Sequence, residues 1–238
     1  MSNDVTGLLA GAAVGPGLAH TLRYGANFFV NRFLAGREKA RVGLVYGLAA
    51  HKIKRRLENG ERLRTDGFFE PDITERSPAD EITEAILIAA QREHEERKLP
   101  YIANLLAFLA FTPGVDRAMA NHLVRITSSL SYRQFCFIAL ANDPNRIRMH
   151  SAPNYGSTGQ NEGSIILLMS EFFDIYEQRL IDSEGMAVPM VLPPIDPRAI
   201  QLPNLRLGSL GDLVYHAMSL GDIPSTEYAD IVRALTDR

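Results

Sequence analysis

The chain has 238 residues, 46% of them apolar and 22% charged, with a net charge of −3. Such values exclude a wholly disordered protein and leave room for one large domain or two small ones with an ample core. One cysteine excludes an internal disulfide, and the opening Met-Ser-Asn-Asp has no basic stretch ahead of an apolar one. No secretory signal is therefore expected, and a reducing, cytoplasmic setting is.

Residues 7–22 are apolar and Gly-rich but are broken by Pro16 and His20 and ended by Arg23. The run is shorter than the ~20 residues that span a bilayer, so no transmembrane helix is expected. Leu18, Leu22, Phe29, Val30 and Phe33 have helical spacing over 18–35, with Gly25 and Gly36 weakening or ending that helix. A second helix over 37–58 carries Val42, Val45, Leu48, Ala49, Ile53 and Leu57, and Asn59-Gly60 stops it. Gly67, Pro71 and Pro78 make 65–78 a connector.

Ser77-Pro78 opens the next helix, with proline at its first position. Its apolar face runs Ile82, Ala85, Ile86, Ala89 and Ala90, and the pattern predicts continuation through the charged run 91–98. Pro100 opens a helix that is apolar nearly all round (Ile102, Leu105, Leu106, Phe108, Leu109, Phe111), as befits the centre of a bundle. Thr112-Pro113-Gly114 ends it. The helix over 115–128 is expected to turn Met119, Leu123, Val124 and Ile126 inward. Ser131 is the expected N-cap of 132–142, which Asn142-Asp143-Pro144 closes.

The chain changes character over 143–163, where the run 154–164 is polar and Gly-rich, but no Gly-Lys-Ser/Thr follows, so a surface loop is expected and not a phosphate cradle. An apolar helix follows over 165–181. A short strand over 188–192 is limited by Pro193-Pro194, and 202–207 is the returning strand. Ser209 would cap 210–219, with Asp212 completing a capping box. Ser225 starts the last helix, 226–236. The fold class expected is mainly α: a multi-helix bundle with a C-terminal winged-helix-like part carrying a short β-ribbon. The division expected is a basic N-terminal helical region (1–76), a central bundle (77–142) and a loop plus winged-helix-like region (143–238), the last two able to share one domain.

Charge is unevenly spread. Residues 23–64 hold eleven basic and three acidic side chains, a net +8, which leaves −11 for everything else. Arg37, Lys39, Arg41, Lys52, Lys54, Arg55, Arg56, Arg62 and Arg64 are the candidate contacts. They suit nucleic-acid phosphates, an anionic membrane surface, or a solvated helix face that pairs with the acidic remainder of the chain or with an acidic partner. Tyr24, Phe28, Phe29 and Phe33 in the same region read as core.

In the C-terminal half, a helix pair followed by a ribbon resembles a winged helix-turn-helix, with 132–142 and 165–181 as the helices and 188–207 as the wing. A DNA-reading second helix should be basic or polar. This one carries Glu171, Asp174 and Glu177 against Arg179, so packing on protein fits it better.

The segment order also matters: basic helices to Lys52-Ile53-Lys54-Arg55-Arg56-Leu57, a Pro-punctuated connector, then Asn104-Leu105-Leu106-Ala107, Ala120-Asn121-His122-Leu123 and the Leu130-Ser131 helix entry. This order resembles the bacterial abortive-infection alpha (Abi-alpha) proteins over roughly residues 37–215. The resemblance implies a role in phage defence or growth arrest and carries over no catalytic residue.

Catalytic and metal-binding patterns are not seen. His94 lies in a ligand-rich run, but Lys98 stands where His-Glu-x-x-His needs its second histidine. His122 with Asp116 or Arg125 makes no triad. Cys136, inside Phe135-Cys136-Phe137-Ile138, reads as a small buried hydrophobe. No catalytic residue, cofactor or metal is expected. The function expected is a non-enzymatic interaction protein with a protein partner or its own copies. Nucleic-acid binding through 23–64, or membrane action through 7–35, are the alternatives.

Overall fold

The computed structural model describes residues 15–30, 34–145, 162–183 and 202–236. These contain nine α-helices and a two-stranded antiparallel sheet, so the chain is mainly helical with a small β element. They form two compact units, divided between Ser129 and Leu130.

The N-terminal unit holds α1 (Pro16–Val30), α2 (Gly36–Glu58), α3 (Pro78–Arg92), α4 (Leu99–Leu109) and α5 (Arg117–Ser129). The long α2 packs on α3 and α4. Its inner face gives Val42, Val45, Ala49 and Ile53 to a core that also contains Ile82, Ile86, Ile102, Leu105 and Leu123. Glu38 accepts the Ala35 N–H at 2.8 Å, which places a carboxylate at the positive end of α2. Gly60, at φ +83°, lets the chain leave the helix. At α3, Ser77 Oγ accepts from Asp80 N and the Asp80 carboxylate accepts from Ser77 N, so the start predicted there is a complete capping box.

Three expectations change in this unit. Helix α3 ends at Arg92 and does not run on to Lys98; Glu93 is extended, and a 3-10 turn, Glu96–Lys98, leads into α4. Pro100 accounts for the break, since it has no N–H for residue 96 and its ring would strike that carbonyl in a continuous helix. Met119 faces outward because the buried stripe of α5 is Ala120, Leu123, Val124, Ile126 and Thr127. Gly25 is no stop. It lies inside α1, where a Cβ would come 2.6 Å from the Tyr46 ring, and Tyr46 donates its hydroxyl to the Leu22 carbonyl at 2.5 Å. Burial holds the Tyr46 phenol up at about 12.

The C-terminal unit holds α6 (Tyr132–Ala141), α7 (Glu162–Glu177), β1 (Ile181–Ser183), β2 (Leu205–Leu207), α8 (Ser209–Met218) and α9 (Ala229–Thr236). Ser131 caps α6 as expected, exchanging hydrogen bonds with Gln134. Phe135, Phe137, Phe172, Val214 and Met218 fill the core, with the Phe137 and Phe172 rings edge to face at 5.7 Å. Cys136 is buried in the same helix.

Helix α7 stops at Glu177, short of the predicted 181. Arg179 takes φ +60° and Ile181 begins β1, which pairs with β2 in the register Ile181↔Leu207 and Ser183↔Leu205. The strand predicted over 188–192, and most of the loop over 143–163, lie outside the described residues. The return predicted over 202–207 is a 3-10 turn, Leu202–Asn204, followed by β2. The final helix is likewise preceded by a 3-10 turn, Ser225–Tyr228.

Ser209 is the first residue of α8 and not its cap; the N-cap is Gly208. Space dictates this, because Gly208 donates its N–H to the Leu180 carbonyl at 3.1 Å. A Cβ on Gly208 would stand 2.2 Å from the Arg179 carbonyl oxygen, and one on Gly211 would stand 1.7 Å from that of Leu180. Backbone atoms cannot step aside as a side-chain tip would. Gly211→Ala is expected to destabilise the C-terminal unit by about 2–3 kcal/mol, the upper range for forced overpacking, read as a lower urea midpoint at unchanged m-value.

Candidate functional site

The nine candidate cations belong to α2 and the stretch that follows it, and they divide into two groups. Arg41, Arg56 and Arg64 point at carbonyls. Arg41 donates to Gln91 O at 2.8 Å, in the last turn of α3. Arg56 donates to Ala107 O at 3.4 Å and Arg64 to Leu109 O at 3.2 Å, both in the last turn of α4. The last four carbonyls of a helix have no partner within it, and this end carries the negative pole, so each guanidinium satisfies an acceptor and meets a favourable field.

Arg64 is the most committed of the three. Its side chain is buried, forks onto Asp66 at 2.7 and 2.6 Å, donates to Val115 O at 2.8 Å and stacks 4.2 Å above the Phe68 ring. Arg56 pairs with Glu61 and lies 4.1 Å over Phe111. A buried, fully partnered Arg64 is not a surface contact, so its place among the candidates is corrected.

The other six stay at the surface. Arg37, Lys39, Arg55 and Arg62 are exposed and Lys52 is half-exposed, and none of the five has an ion pair with another described residue. Lys54 has only a loose pair with Glu58 at 3.7 Å. The acids nearby are engaged: Glu38 by Ala35 N and Gln91, and Glu61 by Arg56. Glu38 keeps its charge, since both its donors are neutral, but Arg37, Lys39, Lys52, Lys54 and Arg55 outnumber Glu38 and Glu58, so the α2 surface is net cationic.

Polar clusters that the pattern did not reveal lie elsewhere. Glu93 and Lys98, predicted within a solvated helix, form an ion pair with side chains only 8% and 3% exposed. Arg117 bridges Asp72 at 2.6 Å and Glu81 at 2.8 Å, and Asn121 joins Glu81 at 2.7 Å. On α1, Thr21 donates to buried Asp80 at 2.8 Å and His20 Nδ1 lies 3.3 Å from the same carboxylate. Tyr24 and Arg76 meet on Glu84. In the C-terminal unit Glu171 accepts from Ser131 and Arg133, and Tyr228 donates to Asp143. Desolvation, then Asp143, push the Tyr228 phenol upward. Most of these bonds cross from one element to another at separations of tens of residues, which local spacing does not encode.

Hydrogen bonds from Arg64 hold Asp66 at about 2, and those from Thr74 and Arg117 hold Asp72 at about 2. Glu81 is lowered by Arg117 as well. Groups lowered on folding add stability above their unfolded pKa, near 3.8 for aspartate, and lose it as pH falls to the folded value. The urea midpoint is thus expected to stay level above about pH 5 and to fall between about pH 4 and pH 2, with Asp66→Asn flattening part of that drop.

Beneath α1 a small cavity lies among Leu18, Leu22, Tyr46, Phe68 and Leu106, with the unpaired hydroxyl of Thr83 buried beside it. It has room for about one water molecule. Among the described residues no group of three or more His, Cys, Asp or Glu side chains is placed to hold a metal ion, and no helix is long and apolar enough to cross a membrane. No family model, curated protein or solved structure matches the chain.

Proposed function

We propose that the protein acts by binding, with the outward face of α2 as its contact for an anionic partner. The observation that carries this is the division among nine cations: three serve helix ends, while six remain at the surface. A merely solvated face would be expected to interleave acids with its bases. Here Arg37, Lys39, Lys52, Lys54 and Arg55 outnumber the two acids of the helix, Glu38 and Glu58, and Arg56 offsets Glu61, so the cationic field persists.

A sulfated-polysaccharide column reports polyanion affinity whatever the natural partner. Retention at low salt is expected, with elution shifted to lower salt when Lys39, Lys52, Lys54 and Arg55 are replaced by glutamine. Failure of the unmodified chain to bind at low ionic strength sinks the proposal.

The C-terminal unit supports a second contact, of protein type. The succession of α6, α7 and the β1–β2 ribbon supports reading this unit as winged-helix-like. The exposed side of α7 offers Ile166 and Leu167 beside Asp174 and Glu177, which suits a protein surface better than a DNA groove. Two binding surfaces on separate units fit an adaptor, and the Abi-alpha resemblance would set that adaptor in bacterial phage defence or growth arrest, with a protein partner or its own copies on the second surface. Co-purification with products of flanking genes tests that setting.

A further inference from the structure

We infer that the anionic partner of α2 is a lipid surface, which the helix meets lying flat. This rests on the reading of α2 as an anion-binding face and names what that face binds. The projection of a helix at 3.6 residues per turn puts residues 37, 40, 44, 48, 51 and 55 on one side. These are Arg37, Ala40, Leu44, Leu48, His51 and Arg55, opposite the buried Val42, Val45, Ala49 and Ile53. The centre of the outward side is therefore apolar: Leu44 is 46% exposed, Ala40 is exposed and Leu48 is half-exposed. Four of the six surface cations stand around this ridge, while Lys39 projects to the other side of the helix and Arg62 follows its end. Arg37 and Arg55 mark its ends, about 27 Å apart at 1.5 Å per residue, while Lys52 and Lys54 flank it on either side.

Nucleic acid fits that layout poorly, because a leucine at the middle of the footprint would press on phosphates where a cation is needed. A protein partner fits less well too, since lysine is depleted from protein interfaces and two of the four cations around the ridge are Lys52 and Lys54. Anionic headgroups suit both features. Leucines enter the boundary between headgroups and acyl chains while lysine and arginine stems reach sideways to phosphate. The buried inner face of α2 keeps the contact peripheral, in keeping with the lack of a membrane-crossing helix among the described residues.

The test is flotation of the full chain with vesicles of phosphatidylcholine alone or with about 30% phosphatidylglycerol, an anionic lipid, beside retardation of a short DNA duplex. Binding to the anionic vesicles and not to the neutral ones is expected. Leu44→Gln should cut vesicle partition at least about fivefold, as loss of buried apolar area at the interface requires, yet leave elution from the polyanion column unchanged, with circular dichroism confirming the fold. Vesicle binding that ignores Leu44→Gln overturns the inference, as does retention of duplex without vesicle binding, although the anion-binding reading then survives. Binding to neither vesicle, duplex nor column removes both.

Discussion

Replacing Lys98 with methionine is expected to lower the stability of the N-terminal unit by about 3–5 kcal/mol, the range seen when one member of a buried ion pair is removed. The stem of methionine fills much the same space, so the loss isolates charge from packing. What remains is Glu93, 8% exposed, with the Glu95 N–H on one oxygen and no cation in place of Lys98. Replacing both, as Glu93→Leu with Lys98→Met, should restore much of the loss, because two desolvated charges then vanish together. Denaturant midpoints of the two single variants and the double variant give the coupling energy directly. A Lys98→Met midpoint within the error of the parent would show that the pair is solvated.

Arg64→Met should cost about 3 kcal/mol, while Arg62→Gln, two residues away in the same basic stretch, should stay within about 0.5 kcal/mol of the parent. Arg64 serves Asp66, Leu109 O and Val115 O at once, and each bond to a charged donor is stronger than a neutral one. Asp66 can regain water when the guanidinium goes, being 35% exposed, but the Leu109 and Val115 carbonyls lose a buried donor. Arg62 is exposed and leaves no described group unpaired. Chemical unfolding of both variants separates structural from surface arginines, and it warns that a loss of binding in Arg64→Met reports unfolding.

Local grammar made much of the fold legible. Ser77-Pro78 and Ser131 announced their helices because a capping serine acts within three residues, and Asn59-Gly60 ended α2 for an equally local reason. The differences arise where a distant group decides the outcome. The 91–98 run reads as solvated by charge alone, and only the three-dimensional fold brings Glu93 and Lys98 inside together. Gly25 reads as a weak point in a helix, yet the Tyr46 ring needs the space it leaves, as the Leu180 carbonyl does at Gly211. For the candidate surface, the composition of 23–64 located the basic helix. It could not separate Arg56 and Arg64 from Arg55 and Arg62, because partners some fifty residues away make that distinction.

Of the nine candidates, those that reach helix-end carbonyls are all guanidinium groups: Arg41, Arg56 and Arg64. Every lysine among the nine stands at the surface instead. Charge and scaffold are thus divided by functional group. An amine-directed modification such as acetylation would discharge Lys39, Lys52 and Lys54 while leaving each of these helix ends with its arginine. A covalent mark would lower the positive charge of the proposed binding face, and its removal would restore it, without disturbing the fold that displays it.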